Sequence, residues 1–202
     1  MMLTLRAMLL VSFVSVWGEA QTRTLAVYAG TAQGLDAEAR FAMRTEVQRL
    51  LAPAGFVVVW KGTAERSGGE DFEQVAVASF EGSCSESSPT LAPAAASLAD
   101  TSITDGRILP FFRVDCARVM QMLGPHPEPS VVGRALGRVI AHEIYHIVAH
   151  TADHHDRGVA KAVFSVQDLT NPRFEFDAWS VSRMQPSPIA RVSETSQDEA
   201  GR

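Results

Sequence analysis

The sequence lacks an excess of positive charge and contains little cysteine, and each shortage excludes a class of function. Its 202 residues carry a formal net charge of −5, whereas a dedicated nucleic-acid-binding protein usually shows a strong basic excess. We therefore expect no nucleic-acid partner. The two cysteines do not form a Cys-x-x-Cys pair, which excludes a four-cysteine zinc site and a thioredoxin-like redox motif.

The common nucleotide-binding and serine-hydrolase motifs are absent as well. The sequence has no phosphate-binding P-loop, no dinucleotide-binding fingerprint and no Gly-x-Ser-x-Gly elbow. Its composition, 46% hydrophobic and 20% charged, is that of an ordinary globular protein, and its length suits one domain with its own core. We predict a single domain over residues 21–182, a flexible polar tail over 183–202, and a monomer.

Long apolar runs are absent after residue 20, and residues 1–20 have the pattern of a secretory signal. Arg6 gives a positive start, residues 7–17 form an apolar run, and Gly18 and Ala20 supply small residues before a cleavage point. The apolar run is shorter than the roughly 20 residues that span a bilayer. We predict cleavage after Ala20, a secreted or periplasmic protein, and no stable membrane insertion after cleavage.

Export changes how the two cysteines are interpreted. In an oxidising compartment, Cys84 and Cys116 predict one disulfide. Such a bridge would close a loop of roughly 30 residues and contribute roughly 3 kcal/mol to stability. Residues 82–100 are rich in serine, alanine and proline, so we predict a long loop that the disulfide pins to the body of the protein.

The pattern of apolar residues predicts a layered domain of α+β or α/β class. Short apolar runs rich in β-branched residues predict strands over 24–29, 56–60 and 74–80. Amphipathic runs bounded by glycine or proline predict helices over 36–51, 115–123 and 130–150. Asp36 is predicted to cap the first of these helices. Residues 106–114 also have an extended pattern, but Pro110 cannot donate to a sheet ladder. We therefore place this segment at an edge of the sheet.

The last predicted helix contains the pattern His-Glu-x-x-His. Residues four apart on a helix share one face, so His142 and His146 can bind one metal ion from the same side. Glu143 lies near that face, where its carboxylate can take a proton from a water that zinc activates. We predict Zn²⁺ as the cofactor, His142 and His146 as metal ligands, and Glu143 as the catalytic base.

A catalytic zinc usually has three protein ligands, so a third residue is needed. His150 continues the four-residue spacing, but on a straight helix it lies about 12 Å from His142, so we expect it beside the site rather than in it. His154 follows a short segment in which the chain can leave the helix and fold back. We predict His154 as the third metal ligand. The alternatives are His155, Asp153, Asp156 and Glu175.

His142, Glu143 and His146, followed by a nearby histidine, resemble the zincin metallopeptidases and more loosely their metzincin branch. The resemblance implies an α+β domain with a small twisted mixed sheet, a backing helix and a long active-site helix. It also implies an antiparallel edge strand that binds extended substrate, a role that would fall to residues 106–114. Met184 is the candidate for the methionine turn that metzincins place beneath the metal.

The sequence departs from the metzincin pattern His-Glu-x-x-His-x-x-Gly-x-x-His at two positions. Ala149 stands at the glycine position, and Ala152 stands at the position of the last histidine. The candidate third ligand, His154, comes two residues later than in the pattern. We therefore expect a helix that runs further before its turn.

Three other side chains are expected to have structural roles. Arg138 is predicted on a solvated face of the active-site helix, and Trp179 is predicted in the core. Tyr145 is predicted to pack against its neighbours, and a hydrogen bond near the site is the alternative.

The sequence as a whole predicts a secreted zinc-dependent endopeptidase that acts on a peptide or protein substrate. One alternative is a secreted zinc-binding interaction module without activity, whose site is closed by a fourth ligand such as His150 or His155. The other alternative is a hydrolase of cell-wall amide bonds, which would use the same metal chemistry.

Overall fold

The structure, a computed structural model, describes residues 23–65, 70–85 and 97–186. The predicted signal segment 1–20 and most of the predicted tail lie outside these residues. No helix within them has the length and apolar character needed to cross a membrane. The strands are β1 (Arg23–Ala29), β2 (Phe56–Gly62), β3 (Gln74–Glu81), β4 (Ala99–Thr104) and β5 (Arg107–Asp115). The helices are α1 (Ala37–Leu51), α2 (Cys116–Leu123), α3 (Pro129–Ala149), α4 (Val166–Thr170) and α5 (Ala178–Met184).

The strands form one mixed sheet in the order β2-β1-β3-β5-β4. β1 pairs in parallel with β2 and β3, and β3 pairs in parallel with β5. β4 runs antiparallel to its partner β5. β1 buries Leu25, Ala26 and Val27 completely, as expected for a strand covered on both faces. The α+β class with a mixed sheet is confirmed.

Strand β4 corrects the prediction for the sheet edge. Residues 99 and 100, predicted as loop, begin β4, and β4 rather than β5 lies at the edge. β5 is enclosed between β3 and β4. Asp105 and Gly106 connect β4 to β5 with φ angles of 50° and 72°. Two consecutive residues with positive φ are typical of a tight hairpin turn.

Pro110 lies inside β5 because the ladder is interrupted beside it. The β4–β5 register shifts between Thr101 and Ile103, and the pairing of β5 with β3 begins only at Phe111. Pro110 therefore falls in a bulge, where its missing N–H costs no ladder hydrogen bond. Because proline has no backbone N–H, it is tolerated in a bulge as well as at a sheet edge. The prediction of an edge position was wrong because the bulge provides the other solution.

Two glycines let the long helix α3 lie very close to α1, the predicted backing helix. A Cβ atom on Gly133 would lie 2.1 Å from the carbonyl oxygen of Ala39, and one on Gly137 would lie 2.8 Å from that of Met43. The two helices therefore approach backbone to backbone, and a larger residue at Gly133 would push them apart. The predicted cap of α1 is confirmed, since Asp36 accepts a hydrogen bond from the amide of Ala39 at 2.7 Å.

A buried ion pair joins the same two helices and corrects the prediction for Arg138. Arg138 is fully buried rather than solvated, and its Nε donates to Glu46 at 2.8 Å. Its other two guanidinium nitrogens donate to the backbone carbonyls of Asp168 and Asn171. Glu46 also accepts from Arg49 at 2.8 Å. Burying the guanidinium is tolerated because each of its nitrogens has an acceptor.

The predicted disulfide is confirmed. Cys84, just after β3, is bonded to Cys116, the first residue of α2, with their Cα atoms 4.8 Å apart. Both cysteines are buried. The bridge ties the start of the predicted loop to the body of the protein, as expected.

The C-terminal part of the described chain differs from the prediction in two respects. Helix α5 continues through Met184, which is 1% exposed, so the packed domain reaches into the predicted tail. Trp179 is 46% exposed rather than in the core. Its ring stacks on that of His155, with the ring centroids 4.8 Å apart.

We predict that the Glu46–Arg138 pair makes part of the folding stability depend on pH. Burial raises the pKa of Glu46, but hydrogen bonds from Arg49 and Arg138 outweigh it and hold the pKa below 4.5. A depressed carboxyl pKa adds stability that is fully present above the ordinary pKa and is lost as pH falls through the folded-state value. Glu46→Gln should therefore lose less stability than the wild type between pH 7 and pH 3.

Thermal unfolding of both proteins at the two pH values measures this difference. At pH 7 the substitution should cost about 3 to 5 kcal/mol, because it leaves a buried guanidinium without its carboxylate. Glu38→Gln, an exposed position on the same helix, is the control. Equal pH dependence in the wild type and in Glu46→Gln would contradict the prediction.

Candidate metal centre

Three histidine side chains come together at the C-terminal end of α3. His142 and His146 lie one turn apart on the helix and are 9% and 6% exposed. The exposed ring of His154 lies 5.2 Å from the ring of His142 and 4.8 Å from the ring of His146, centroid to centroid. One ring nitrogen from each residue lies within 4.8 Å of the other two. The three residues could therefore hold one metal ion.

Backbone carbonyls fix the orientation of the two buried rings. The Nδ1 of His142 lies 2.7 Å from the carbonyl oxygen of Val159, and the Nδ1 of His146 lies 2.8 Å from that of Thr151. A carbonyl oxygen only accepts, so each Nδ1 carries the hydrogen and donates it. In a neutral ring this tautomer leaves Nε2 without a hydrogen, which is the form in which histidine binds a metal.

The two Nε2 atoms lie 3.1 Å apart. In neutral rings with their hydrogens on Nδ1, two lone pairs meet at this short distance, and a cation bound to both would remove the repulsion. A proton is disfavoured in this position, because burial lowers the pKa of His142 to about 3 and also lowers the pKa of His146. The set of three imidazoles therefore fits a divalent ion such as zinc.

A turn after α3 brings His154 back towards the helix. The helix ends at Ala149, and His150 adopts the left-handed conformation with φ of 48°, which commonly ends a helix. The amide of Thr151 then donates to the carbonyl of His146 at 3.2 Å. The helix thus ends at Ala149, and His150 makes the turn, one position after the glycine of the metzincin pattern. His150 itself is exposed and lies outside the group of three.

The other candidate ligands have different surroundings. His155 directs its Nδ1 to the carboxylate of Asp177 at 2.6 Å. Asp156 and Glu175 are each 71% exposed and form ion pairs with arginines. Glu175 also precedes α5, so it does not lie on a helix. Asp153 is exposed and is not part of the histidine group.

Glu143 is 4% exposed and lies on the same stretch of α3 as the two buried histidines. Its Oε2 accepts a hydrogen bond from the hydroxyl of Thr101 at 2.6 Å. Burial raises the pKa of Glu143 to about 7, although the hydrogen bond from Thr101 acts to lower it. A carboxyl group that titrates near neutral pH is suited to general acid–base chemistry.

Glu143 and the three histidines line one groove of about 740 Å³. β4 contributes residues 99–101 and Ile103 to the lining, and the segment 161–164 contributes another part. Much of the remaining lining is apolar, and it includes Ile108, Met122 and Val139. Among the described strands, β4 has a neighbour on one side only. The groove therefore combines titratable groups, apolar walls and a strand at the edge of the sheet.

Sequence reasoning missed Thr101 and the two carbonyls that hold the histidine rings. Thr101 stood between a predicted loop and a predicted strand, so it was assigned no role. The pair Asp105-Gly106, flanked by residues that favour strands, is a recognised hairpin signal and could have revealed β4. The carbonyls of Thr151 and Val159 had no such signal, because every residue type carries one.

Tyr145 and Met184 both lie in the core. Tyr145 is fully buried, and its ring lies 5.8 Å from that of Phe176. Its hydroxyl has no hydrogen-bond partner among the residues that the structure describes, which agrees with the predicted packing role. The backbone carbonyl of Met184 accepts a hydrogen bond from Arg23 at 2.7 Å. Its role in a methionine turn stays a prediction.

Comparison with known proteins gives a distant structural likeness. The crystal structure of archaemetzincin from Methanopyrus kandleri is similar at 14% identity and a TM-score of 0.45, over 84% of this chain and 96% of that chain. No model of a protein family and no curated protein matches the sequence. At this identity and score the likeness carries no inference about activity, so the function must be argued from the residues of the site.

We predict that His154→Ala weakens zinc binding strongly. Loss of a residue that hydrogen-bonds to a metal ligand lowers metal affinity by roughly 10- to 100-fold. Loss of a ligand itself should lower the affinity further. Competition with a chromogenic chelator measures the affinity. His150→Ala is the matched control, because His150 lies on the same turn but outside the group of three. Equal zinc affinity in the two variants would remove His154 from the site.

Proposed function

We propose that this chain is a zinc-dependent endopeptidase that acts outside the cytoplasm. The observation that carries the proposal is the convergence of His142, His146 and His154 beside the buried carboxylate of Glu143 in a single groove. Three imidazoles and an adjacent carboxylate are the groups that hydrolytic zinc sites use. The edge strand β4 and the apolar lining of the groove support the same function.

The roles of the ligand residues follow from how they are held. His142 and His146 are fixed by carbonyls on their Nδ1 atoms, and their Nε2 atoms would hold the ion. His154, on the turn after α3, would complete the set of three ligands. When bound, zinc would polarise the scissile carbonyl and lower the pKa of a water.

Glu143 is the proposed general base. Its carboxylate lies in the groove and can accept a proton from the attacking water. It can then donate that proton to the nitrogen of the leaving amine. The side chain is 4% exposed and lines the groove, so the groove is where it meets water and substrate.

The edge strand β4 supports a peptide as the substrate. Residues 99–101 of this strand line the groove, and an extended peptide can add to a strand edge through backbone hydrogen bonds. Such binding recognises the main chain and therefore suits an enzyme that cuts within a peptide. The apolar lining offers contacts for side chains on either side of the cut.

The described residues offer no fourth protein ligand that would close the site. Among the residues that the structure describes, the metal-binding group contains three histidines only. His150, the first candidate for a fourth ligand, is exposed at the end of α3, and His155 pairs with Asp177. Catalytic zinc sites keep a position for water or substrate, whereas structural sites have four protein ligands. This favours an enzyme over a non-catalytic zinc module.

The disulfide and the sequence of residues 1–20 support export. Cys84 and Cys116 are bonded, and disulfides persist mainly in oxidising compartments. The secretory signal is read from the sequence alone. Secretion and release into the periplasm are both consistent with these features.

Substitution of the general base tests the proposal. Glu143→Gln should keep zinc and lose peptide hydrolysis by about a hundredfold or more, because an amide cannot take the proton. Asp153→Asn, next to His154 and exposed, is the control and should keep both properties. Zinc content and cleavage of an unfolded protein substrate are the measurements.

Two outcomes would contradict the proposal. Full activity in Glu143→Gln would remove the base from the mechanism. Hydrolysis of purified cell-wall material, without cleavage of any protein or peptide, would assign the same metal chemistry to cell-wall amide bonds instead.

A further inference from the structure

We propose that Thr101 is a positioning residue for Glu143, so that the edge strand β4 both receives the substrate and orients the base that acts on it. This inference rests on the proposed function. It goes further by assigning a role to a residue outside the His-Glu-x-x-His pattern and by linking the substrate strand to the base.

The contact between the two side chains is short and direct. The hydroxyl of Thr101 donates to Oε2 of Glu143 at 2.6 Å, which is in the range of strong hydrogen bonds from a hydroxyl to an ionised carboxylate. Glu143 is 4% exposed, and Thr101 is partly buried. In such a site water competes weakly for the same donor and acceptor. The bond is therefore strong enough to hold the carboxylate in one orientation.

The register of the sheet holds Thr101 in place. Thr101 is paired with Phe112 of β5, and Phe112 is 2% exposed. The regular β4–β5 ladder ends at Thr101, beside the bulge of β5 that contains Pro110. Bulges often lie beside active sites, where they redirect side chains. Thr101 is thus held by its pairing with a core residue, and it lies where the register of the two strands shifts.

The hydrogen bond from Thr101 gives the two carboxylate oxygens of Glu143 different roles. A carboxylate accepts hydrogen bonds at both oxygens. Thr101 donates to Oε2, and in this arrangement Oε1 accepts the proton of the attacking water. Without the hydroxyl, Glu143 would keep its chemical group but sample more than one orientation, and the productive one would be populated less.

Kinetic constants separate this role from a contribution to packing. Thr101→Val keeps the shape of the side chain and removes the hydroxyl. It should lower kcat by about tenfold to a hundredfold, which is the range that loss of a hydrogen bond to a charged group predicts. KM should stay unchanged, because the backbone of β4 still binds the peptide. Thr101→Ser restores the hydroxyl and should restore kcat.

Thr104→Val is the matched control. Thr104 lies on the same strand, three positions further along, and its side chain is exposed. Its substitution should change neither constant. An unchanged kcat in Thr101→Val, with or without a change in KM, would overturn the inference.

A second experiment uses the metal-free protein and needs no activity. Thr101→Val should lower Tm in the wild-type background, because it breaks a partly buried hydrogen bond to a carboxylate. In the Glu143→Ala background the same substitution should lower Tm by less, since the carboxylate is gone and only the backbone carbonyl of residue 143, 3.4 Å from the hydroxyl, remains as an acceptor. Equal shifts in both backgrounds would show that the two side chains do not interact, and the inference would fail.

The two experiments distinguish failure of this inference from failure of the proposed function. A wild-type protein that binds zinc but cleaves no peptide would contradict the proposed function. There would then be no general base for Thr101 to orient. Coupled Tm shifts in that case would show only that the contact exists. An active wild type with additive Tm shifts would keep the function and remove Thr101 from it.

Discussion

The burial of helix α3 is the constraint on which the rest of the structure depends. Residues 132–148 of this helix are buried almost without interruption, and the buried ones include one arginine, Arg138, a glutamate and two histidines. The close approach to α1 is set by Gly133 and Gly137, where no Cβ atom fits. Polar groups on a buried helix must find partners within the protein, and the surrounding elements supply them.

Each of these partners also shapes the candidate site. Glu46 and two carbonyls near α4 satisfy Arg138, and this fixes α3 against α1. The carbonyls of Val159 and Thr151 orient His142 and His146, and in doing so they also fix the segment that carries His154. Thr101 satisfies Glu143 from the edge of the sheet. The two Nε2 atoms remain directed at each other, and a metal ion is the group that best fits between them.

The sequence predicted the features that depend on local pattern. The four-residue spacing of His142 and His146, the cap at Asp36 and the pairing of Cys84 with Cys116 each depend on a few nearby residues or on two residues alone. Features that depend on long-range packing were not predictable in the same way. The sequence around Arg138 does not distinguish a buried arginine from a solvated one, because its partner Glu46 is distant in the sequence and close only in the fold. Pro110 indicates an interrupted ladder, but not whether an edge or a bulge interrupts it.

The most direct test of this account is the metal content and coordination of the purified protein after dialysis at neutral pH. We predict about one zinc per chain. X-ray absorption should show nitrogen or oxygen ligands at about 2.0–2.1 Å, with the multiple-scattering pattern of three imidazole rings and one further ligand that is not imidazole, as in an open catalytic site. A folded protein that retains no zinc and does not bind added zinc would contradict the account. Four protein ligands around a retained zinc would contradict the proposed activity.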